Sequence, residues 1–437
     1  VLNHNWILAL TGAVLIAGCT EPQFILPGER EELRSGEAAT AQGEIVNRAA
    51  PIRLAQQSVN ANWTHRIGTP AFRTTHPALS QTPKLKWSAD VGSGMGKRQR
   101  LNTDPIVADG RIFTLDSESQ LVATSTSGEQ VWFRDMTPPQ DRRGEATSGG
   151  FSYGDGRLYV VTGFGVLMAL SPATGDVIWE QKLLAVGNST PTFYKGRVYV
   201  VAGDETAWAV DAATGRVDWR LGALPSVASL QAPTAPALTD RLAIFGFGSG
   251  EMNAVFREGG TRLWNVSITG QRPGRAINTV GDISGDPVID GGTLYAANHT
   301  GRLVAMDLDT GQRKWTIERG TLSPVWPAGG SLFMVTERNK LVRINASDGE
   351  VIWEQELPLF VQDRPRRMKS MHEHYGPVIA GGRVIVASSD GRLRSYDPES
   401  GALLYDTPIP DGAASNPIVA GRTLYVLGAE GQLHAFR

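Results

Sequence analysis

His372, Glu373 and His374 set two imidazoles and a carboxylate within three positions. Alternate residues of a strand share a face, so the two histidines would present their nitrogens together. Zinc takes about four ligands in a tetrahedron; the chain has seven histidines, and no second cluster completes the set. Asp104, Asp286 and Glu373 are oxygen donors of the kind calcium takes, roughly six to eight at a time. They fall in different repeat units, and no feature of the sequence converges them around a cofactor. A His-Glu-x-x-His pair is missing. The glycines of Gly163-Phe-Gly165 and Gly246-Phe-Gly248 lie at strand turns, whereas a phosphate cradle sits between a strand and a helix. No catalytic residue, metal or cofactor is therefore expected.

The remaining reactive group is Cys19, the only cysteine in 437 residues. It follows the apolar run Trp6 to Ala17, which is shorter than the roughly 20 residues that span a bilayer and has the length of a signal-peptide core. The residues before it carry only His4 as a basic group, and Val1 stands where an alternative start would be read. Leu15-Ile16-Ala17-Gly18-Cys19 resembles a bacterial lipobox, which implies cleavage after residue 18 and acylation of Cys19. Several acyl chains anchor where one binds marginally. Thr20 at the sorting position implies the outer membrane, with the protein lipid-anchored on its periplasmic face. An ordinary secreted chain is the alternative. Residues 19–82 alternate poorly and are rich in Glu, Ala, Gln, Pro and Arg, so a tether or surface-hugging coil is expected there.

One pattern then returns eight times. Its clearest copy, Asp286 to Trp315, reads as a buried strand, a Gly turn, two further strands, the turn Asp-Leu-Asp-Thr-Gly and a fourth strand ending in Trp. Period-2 alternation between turn signals marks antiparallel strands. In the turn, Asp bonds the backbone and Gly tolerates positive φ. The closing aromatics are Trp87, Trp132, Trp179, Trp219, Trp264, Trp315, Trp353 and Tyr405, spaced by 45, 47, 40, 45, 51, 38 and 52 residues. Units of this size with four strands are propeller blades. The last copy stops at Arg437 with three strands, and Lys84 to Trp87 supplies the missing one. The expected fold is all-β: an eight-bladed β-propeller of four-stranded antiparallel blades over residues 83–437, closed by an N-terminal strand, with the tryptophans packing between blades.

The repeats Ala209-Val-Asp211-Ala-Ala-Thr214-Gly215 with Trp219, and Ala305-Met-Asp307-Leu-Asp-Thr310-Gly311 with Trp315, resemble the quinoprotein alcohol dehydrogenase-like propellers. The enzymes of that group imply a vicinal disulfide over a quinone, which one cysteine cannot make. With its lipobox, tether and eight blades, the chain resembles the BamB family of outer-membrane assembly lipoproteins. That resemblance implies a non-catalytic scaffold binding the POTRA domains of the central, BamA-like assembly factor, and assisting unfolded outer-membrane protein clients. It also places the partner contact at the openings of the fourth and fifth blades. Ala228, Leu230 and Gln231 align there with the family's Leu, Leu and Arg. Asp282 matches a family aspartate, and Ser284 replaces another. A quinone-dependent dehydrogenase and a glycan- or cell-wall-binding propeller are the alternatives, the latter with Phe151, Trp326 and Tyr375 as its aromatic candidates.

In such a blade the first-to-second and third-to-fourth turns share one face, and the inter-blade connections lie on the other. The connections run 18, 19, 12, 17, 23, 9, 24 and 12 residues from closing aromatic to next opening. Long variable loops on a rigid scaffold carry binding residues, so function is expected on the inter-blade face. Two of its loops are basic: Arg134 to Glu145, and Asp363 to Gly376 with Arg364, Arg366, Arg367 and Lys369. This basic rim is either an electrostatic contact for an acidic partner or a solvated edge. A formal net charge of −2 and export argue against nucleic acid.

Overall fold

Each repeat folds as expected because its four strands have different environments. The inner strands are short and buried throughout, as in Ile106–Ala108 and Ile418–Ala420. The outer strands alternate, with the aromatic as their inward-facing residue, as in Gln130–Asp135 and Val177–Lys182. The computed structural model describes residues 47–97, 99–146, 149–187, 189–226, 234–269, 280–362 and 364–437. Among them are eight four-stranded antiparallel sheets. Seven are consecutive in the chain. The eighth joins Ile418–Ala420, Thr423–Leu427 and Gln432–Phe436 to Leu85–Asp90 from the other end. Ser88 faces His434 in this closing pair, and the amides of Lys84 and Arg437 bond each other's carbonyls.

The tryptophans do pack between blades. The indole N–H groups of Trp87, Trp132, Trp179, Trp219, Trp264, Trp315 and Trp353 each donate to a backbone carbonyl in the third-to-fourth turn of the next blade, at 3.0–3.2 Å. The ring lies flat on the turn glycine. A Cβ on Gly215 or Gly311 would come within 2.7 or 2.8 Å of the ring of Trp179 or Trp264, and both glycines have φ above +60°. Asp211 and Asp307 hold these turns by accepting from the amide and hydroxyl of Thr214 and Thr310. Those bonds, the hydroxyl's first, keep both carboxyls below their ordinary range. Tyr405 departs from the set. The eighth blade has no third-to-fourth turn, since its outer strand comes from the N-terminal side, and Tyr405 is 40% exposed.

Residues 47–82, expected as tether or surface-hugging coil, are coil bonded to the propeller, with side chains buried more deeply than a surface path requires. The leader, Cys19 and the rest of Val1–Ile45 lie outside the described residues, whereas Val46–Arg437 forms one compact unit. From Asn47 the chain crosses the short-turn face and bonds to every blade in turn. Trp63 pairs with Val107 in the first, Thr64 accepts from Tyr153 in the second, and the His65 ring meets the Phe193 carbonyl in the third. The carbonyls of Pro70, Ala71, Pro77 and Asn60 accept from Leu238, Ile289, Gly381 and Gly421 in the fourth, fifth, seventh and eighth. Arg343 of the sixth donates to Ala50. Trp63 is 1% exposed and lies 6.2 Å from the ring of Trp326. Burial holds His65 neutral, with its pKa down to about 4. Without a hydrophobic period of its own, the segment buries single side chains in the mouth of the channel.

Trp63→Ala should lower stability by about 3–5 kcal/mol, the cost of emptying a large buried aromatic site. Val59→Ala, on the same segment but 54% exposed, should stay within about 0.5 kcal/mol. Denaturant midpoints of the two variants decide whether this segment is part of the fold.

Candidate functional site

The channel shows what became of the carboxylates set apart in sequence. Asp104, in the loop before the first blade, and Asp286, in the opening strand Ile283–Asp290 of the fifth, converge on one guanidinium. Arg66 Nε lies 3.2 Å from an oxygen of each. Asn416 adds its amide N–H and side-chain N–H to Asp104, both at 2.8 Å, and the Ala235 amide donates to Asp286 at 2.8 Å. The fold thus brings Asp104 and Asp286 together, while Glu373 is bonded by Tyr375. The converging group is a cation from the N-terminal segment, and it takes the charge that calcium would have supplied. Arg73 follows seven residues later, its guanidinium 4.3 Å from the Trp326 ring centre. Burial pulls its pKa down to about 9. Arg66 keeps its proton: burial works against the charge, and the two carboxylates outweigh it. Asp286, fully enclosed, is pushed above the usual carboxylate range by burial, with Arg66 pulling the other way.

Above this cluster the channel opens on the inter-blade face as a cavity of about 720 Å³, lined by Arg66, Arg100, Asp104, Glu373, Tyr375 and Asn416 among others. The His372-Glu373-His374 triplet lies at its rim. Both ring nitrogens of His374 are engaged, Nδ1 with the Ser388 hydroxyl at 2.7 Å and Nε2 with the Pro358 carbonyl at 2.8 Å. Glu373 accepts from the Tyr375 hydroxyl at 2.5 Å. Among the described residues no group of three or more His, Cys, Asp or Glu is arranged to hold a metal. The aromatics that a glycan would stack on are not on the surface: Phe151 and Trp326 are 1% and 2% exposed, and Tyr375 is half-buried.

The fourth- and fifth-blade openings present a mixed picture. Ala228, Leu230 and Gln231 lie outside the described residues. Asp282 and Ser284 are each 2% exposed. An Asp282 oxygen lies 3.0 Å from the His299 ring, and the Ser284 hydroxyl donates to the Thr321 carbonyl at 2.6 Å. Glu205, close by, accepts from the Gly248 amide at 2.8 Å. Burial raises its carboxyl, despite that bond, and Asp282 adds to the effect. A Cβ at Gly248 would lie 2.5 Å from a Glu205 oxygen, which is why Gly-Phe-Gly stands there. These buried groups form the base on which the openings rest.

What sequence reasoning missed lies alongside. Leu184, Val186 and Leu224, on the connections into the third and fourth blades, are 80%, 56% and 62% exposed. Leu184 also holds φ at +63°, a region that bulky residues rarely enter and that clusters at functional sites. The available signal was Leu183-Leu184-Ala-Val186 following a closing Trp, where alternation had already ended. Of the two basic loops, the first has two arginines engaged by neighbouring segments: Arg143 meets Glu118 at 3.0 Å, and Arg134 donates to the Gly175 carbonyl. Among the described residues, none of Arg364, Arg366, Arg367 and Lys369 has an ion pair, and all four are exposed.

The sequence profile of the family described as "Outer membrane protein assembly factor BamB" matches residues 122–355 and 360–437. The chain belongs to the BamB family. Curated BamB proteins of Shigella dysenteriae and Escherichia coli K12 are 30% and 29% identical over 360 residues, spanning 81% of this chain and 88% of each relative. Among solved structures, BamB from Moraxella catarrhalis aligns with a TM-score of 0.67 at 18% identity, over 82% of this chain and 100% of its own. A quinohemoprotein alcohol dehydrogenase from Comamonas testosteroni aligns at 0.63 and 15% identity, over 86% of this chain and 80% of its own. These two likenesses are of fold alone. In this BamB-family chain, Arg66 occupies the channel and Cys19 is the only thiol.

Arg66→Gln should cost about 3–5 kcal/mol at neutral pH, because it strands two buried carboxylates. A carboxyl raised in the folded state destabilises the fold above its folded pKa, and the loss is relieved as pH falls through that value toward the ordinary range. The deficit of the variant should therefore shrink on acidification, as measured by denaturation of both proteins across pH. His65 titrates alike in the two and cancels. A deficit independent of pH would mean that Arg66 contributes packing only.

Proposed function

We propose that this chain is a non-catalytic scaffold of the outer-membrane protein assembly machinery, held by lipid at Cys19 on the periplasmic face of the outer membrane. Its inter-blade face meets the POTRA domains of a BamA-like assembly factor at the openings of the fourth and fifth blades, with Ala228, Leu230 and Gln231 at the contact. Asp282 and Ser284 support it from beneath. Unfolded outer-membrane proteins are the clients that the assembly serves.

The observation that carries the reading, beyond family membership, is the cluster of outward-facing Leu184, Val186 and Leu224 beside the fourth-blade opening. Exposed apolar groups gathered at one place mark interaction surfaces, and a few central apolar anchors dominate most interfaces. The opposite face is covered by residues 47–82, which leaves the inter-blade face for a partner.

Leu184→Asp and Leu224→Asp, alone and with Leu230→Asp, should each weaken co-purification of a POTRA-containing protein from detergent-solubilised membranes by tenfold or more, the scale of about 1.4 kcal/mol per decade. Thermal midpoints should stay at the wild-type value. Retention of the partner by the triple variant would move the contact elsewhere, and capture of a redox or glycan-processing partner instead would overturn the assembly role.

A further inference from the structure

The connection between the sixth and seventh blades is a built projection. Phe360 and Met371 bridge antiparallel, the Val361 amide donates to the Ser370 carbonyl, and the His372 amide donates to the Leu359 carbonyl, both at 3.0 Å. Its tip is the 3-10 turn Pro365–Arg367. Arg364, Arg366, Arg367 and Lys369 stand out from this support, and no acidic residue interrupts the run from Arg364 to Met371. Of the carboxylates flanking this run in sequence, Asp363 lies outside the described residues, Glu356 pairs with Lys340 at 2.8 Å, and Glu373 accepts from Tyr375. Interleaved with the cations are apolar side chains turned to solvent: Leu359, Val361, Met368 and Met371, between 38% and 53% exposed. Cations alone would suit any acidic surface. Cations mixed with flexible apolar groups suit an interface that is anionic outside and apolar just beneath, the profile of a charged lipid leaflet.

The path of the N-terminal segment adds a second, independent observation. Asn47 bonds both ways with Glu354, and the Arg48 amide donates to the Ile352 carbonyl. The backbone thus enters the propeller antiparallel to the outer strand Val351–Glu356, from the end of that strand that runs on into the projection. A lipid at Cys19 would be joined to the propeller on this flank, a point that rests on the anchor reading above.

We propose that the Leu359–Met371 projection docks on an anionic phospholipid surface. The four cations pair with headgroup phosphates, while Val361, Met368 and Met371 enter the acyl boundary.

The full chain, reconstituted in vesicles of phosphatidylcholine or of phosphatidylcholine mixed with phosphatidylglycerol, tests this through amide hydrogen exchange of residues 359–372. Exchange should slow on the anionic vesicles only, and high salt should abolish the effect. Each replacement among R364Q, R366Q, R367Q and K369Q should reduce it about fivefold, with no change in thermal midpoint. Met368→Asp should reduce it with all four cations in place. Equal exchange on both vesicle types overturns the proposal. So does slowing that appears only when an acidic protein partner is added, which would make the projection a protein contact. Failure of the chain to float with neutral vesicles would instead count against the anchor, and the anionic vesicles would still report on the projection.

Discussion

The contact on which this molecule depends is an indole resting on a turn glycine of the next blade. The ring needs a flat, bare backbone beneath it, and the turn needs a residue tolerant of positive φ. Glycine satisfies both. The indole N–H then bonds a carbonyl that the turn would otherwise leave to solvent. One such bond contributes about 1 kcal/mol, and the buried ring contributes more. The contact recurs at seven successive blade junctions. A four-stranded sheet is marginal alone, so stability comes from stacking, and stacking is fixed in register by these contacts. The eighth junction lacks the turn and has an exposed tyrosine. Strand pairing between Leu85–Asp90 and Gln432–Phe436, within the eighth blade, closes the ring.

Closing a ring of eight sheets leaves an axial channel whose walls carry inner-strand polar groups. This protein fills it from its own N-terminal side. Trp63 packs at a tilt against Trp326, Arg73 lies over the Trp326 ring, and Arg66 balances two carboxylates from opposite parts of the ring. Buried ion pairs return little net stability over an apolar filling, but they fix one arrangement, because Asp104 and Asp286 must both reach the same guanidinium. The same residues speak against the calcium–quinone alternative on chemistry. A carboxylate pair already neutralised by arginine does not offer the open oxygen shell that a calcium–quinone site requires.

The repeat, the blade number and the closing strand were legible because they follow local rules: alternation, turn chemistry, and a spacing set by four strands. The N-terminal segment was illegible for the opposite reason. Trp63, His65, Arg66 and Arg73 sit in a stretch without a period of either two or 3.6, and they are buried against several blades. Arg66 meets Asp104 and Asp286 across 38 and 220 residues of sequence, a distance no pattern reports. Phe151 and Trp326 could not be assigned to surface or core from type alone, since either is compatible with a strand start. Leu184 was missed because an exposed leucine is informative only once its neighbours are known to be exposed as well.

The two faces of the propeller thus have different fates for one physical reason. Turns within a blade must be short, since register demands it, and their tips form an even surface over which a single extended segment can pass and bond to each blade. Connections between blades are free to lengthen, because the tryptophan contacts already hold the blades. Length there costs little stability, as loop-closure entropy grows only slowly. Variation can therefore accumulate on the inter-blade face without disturbing the fold. The leucines near the fourth blade and the basic projection after the sixth both lie on that face, and both depart from what a merely solvated loop needs. A scaffold that meets more than one surface at once would be built this way, with one face sealed by its own chain and the other carrying separate contacts around a rigid rim.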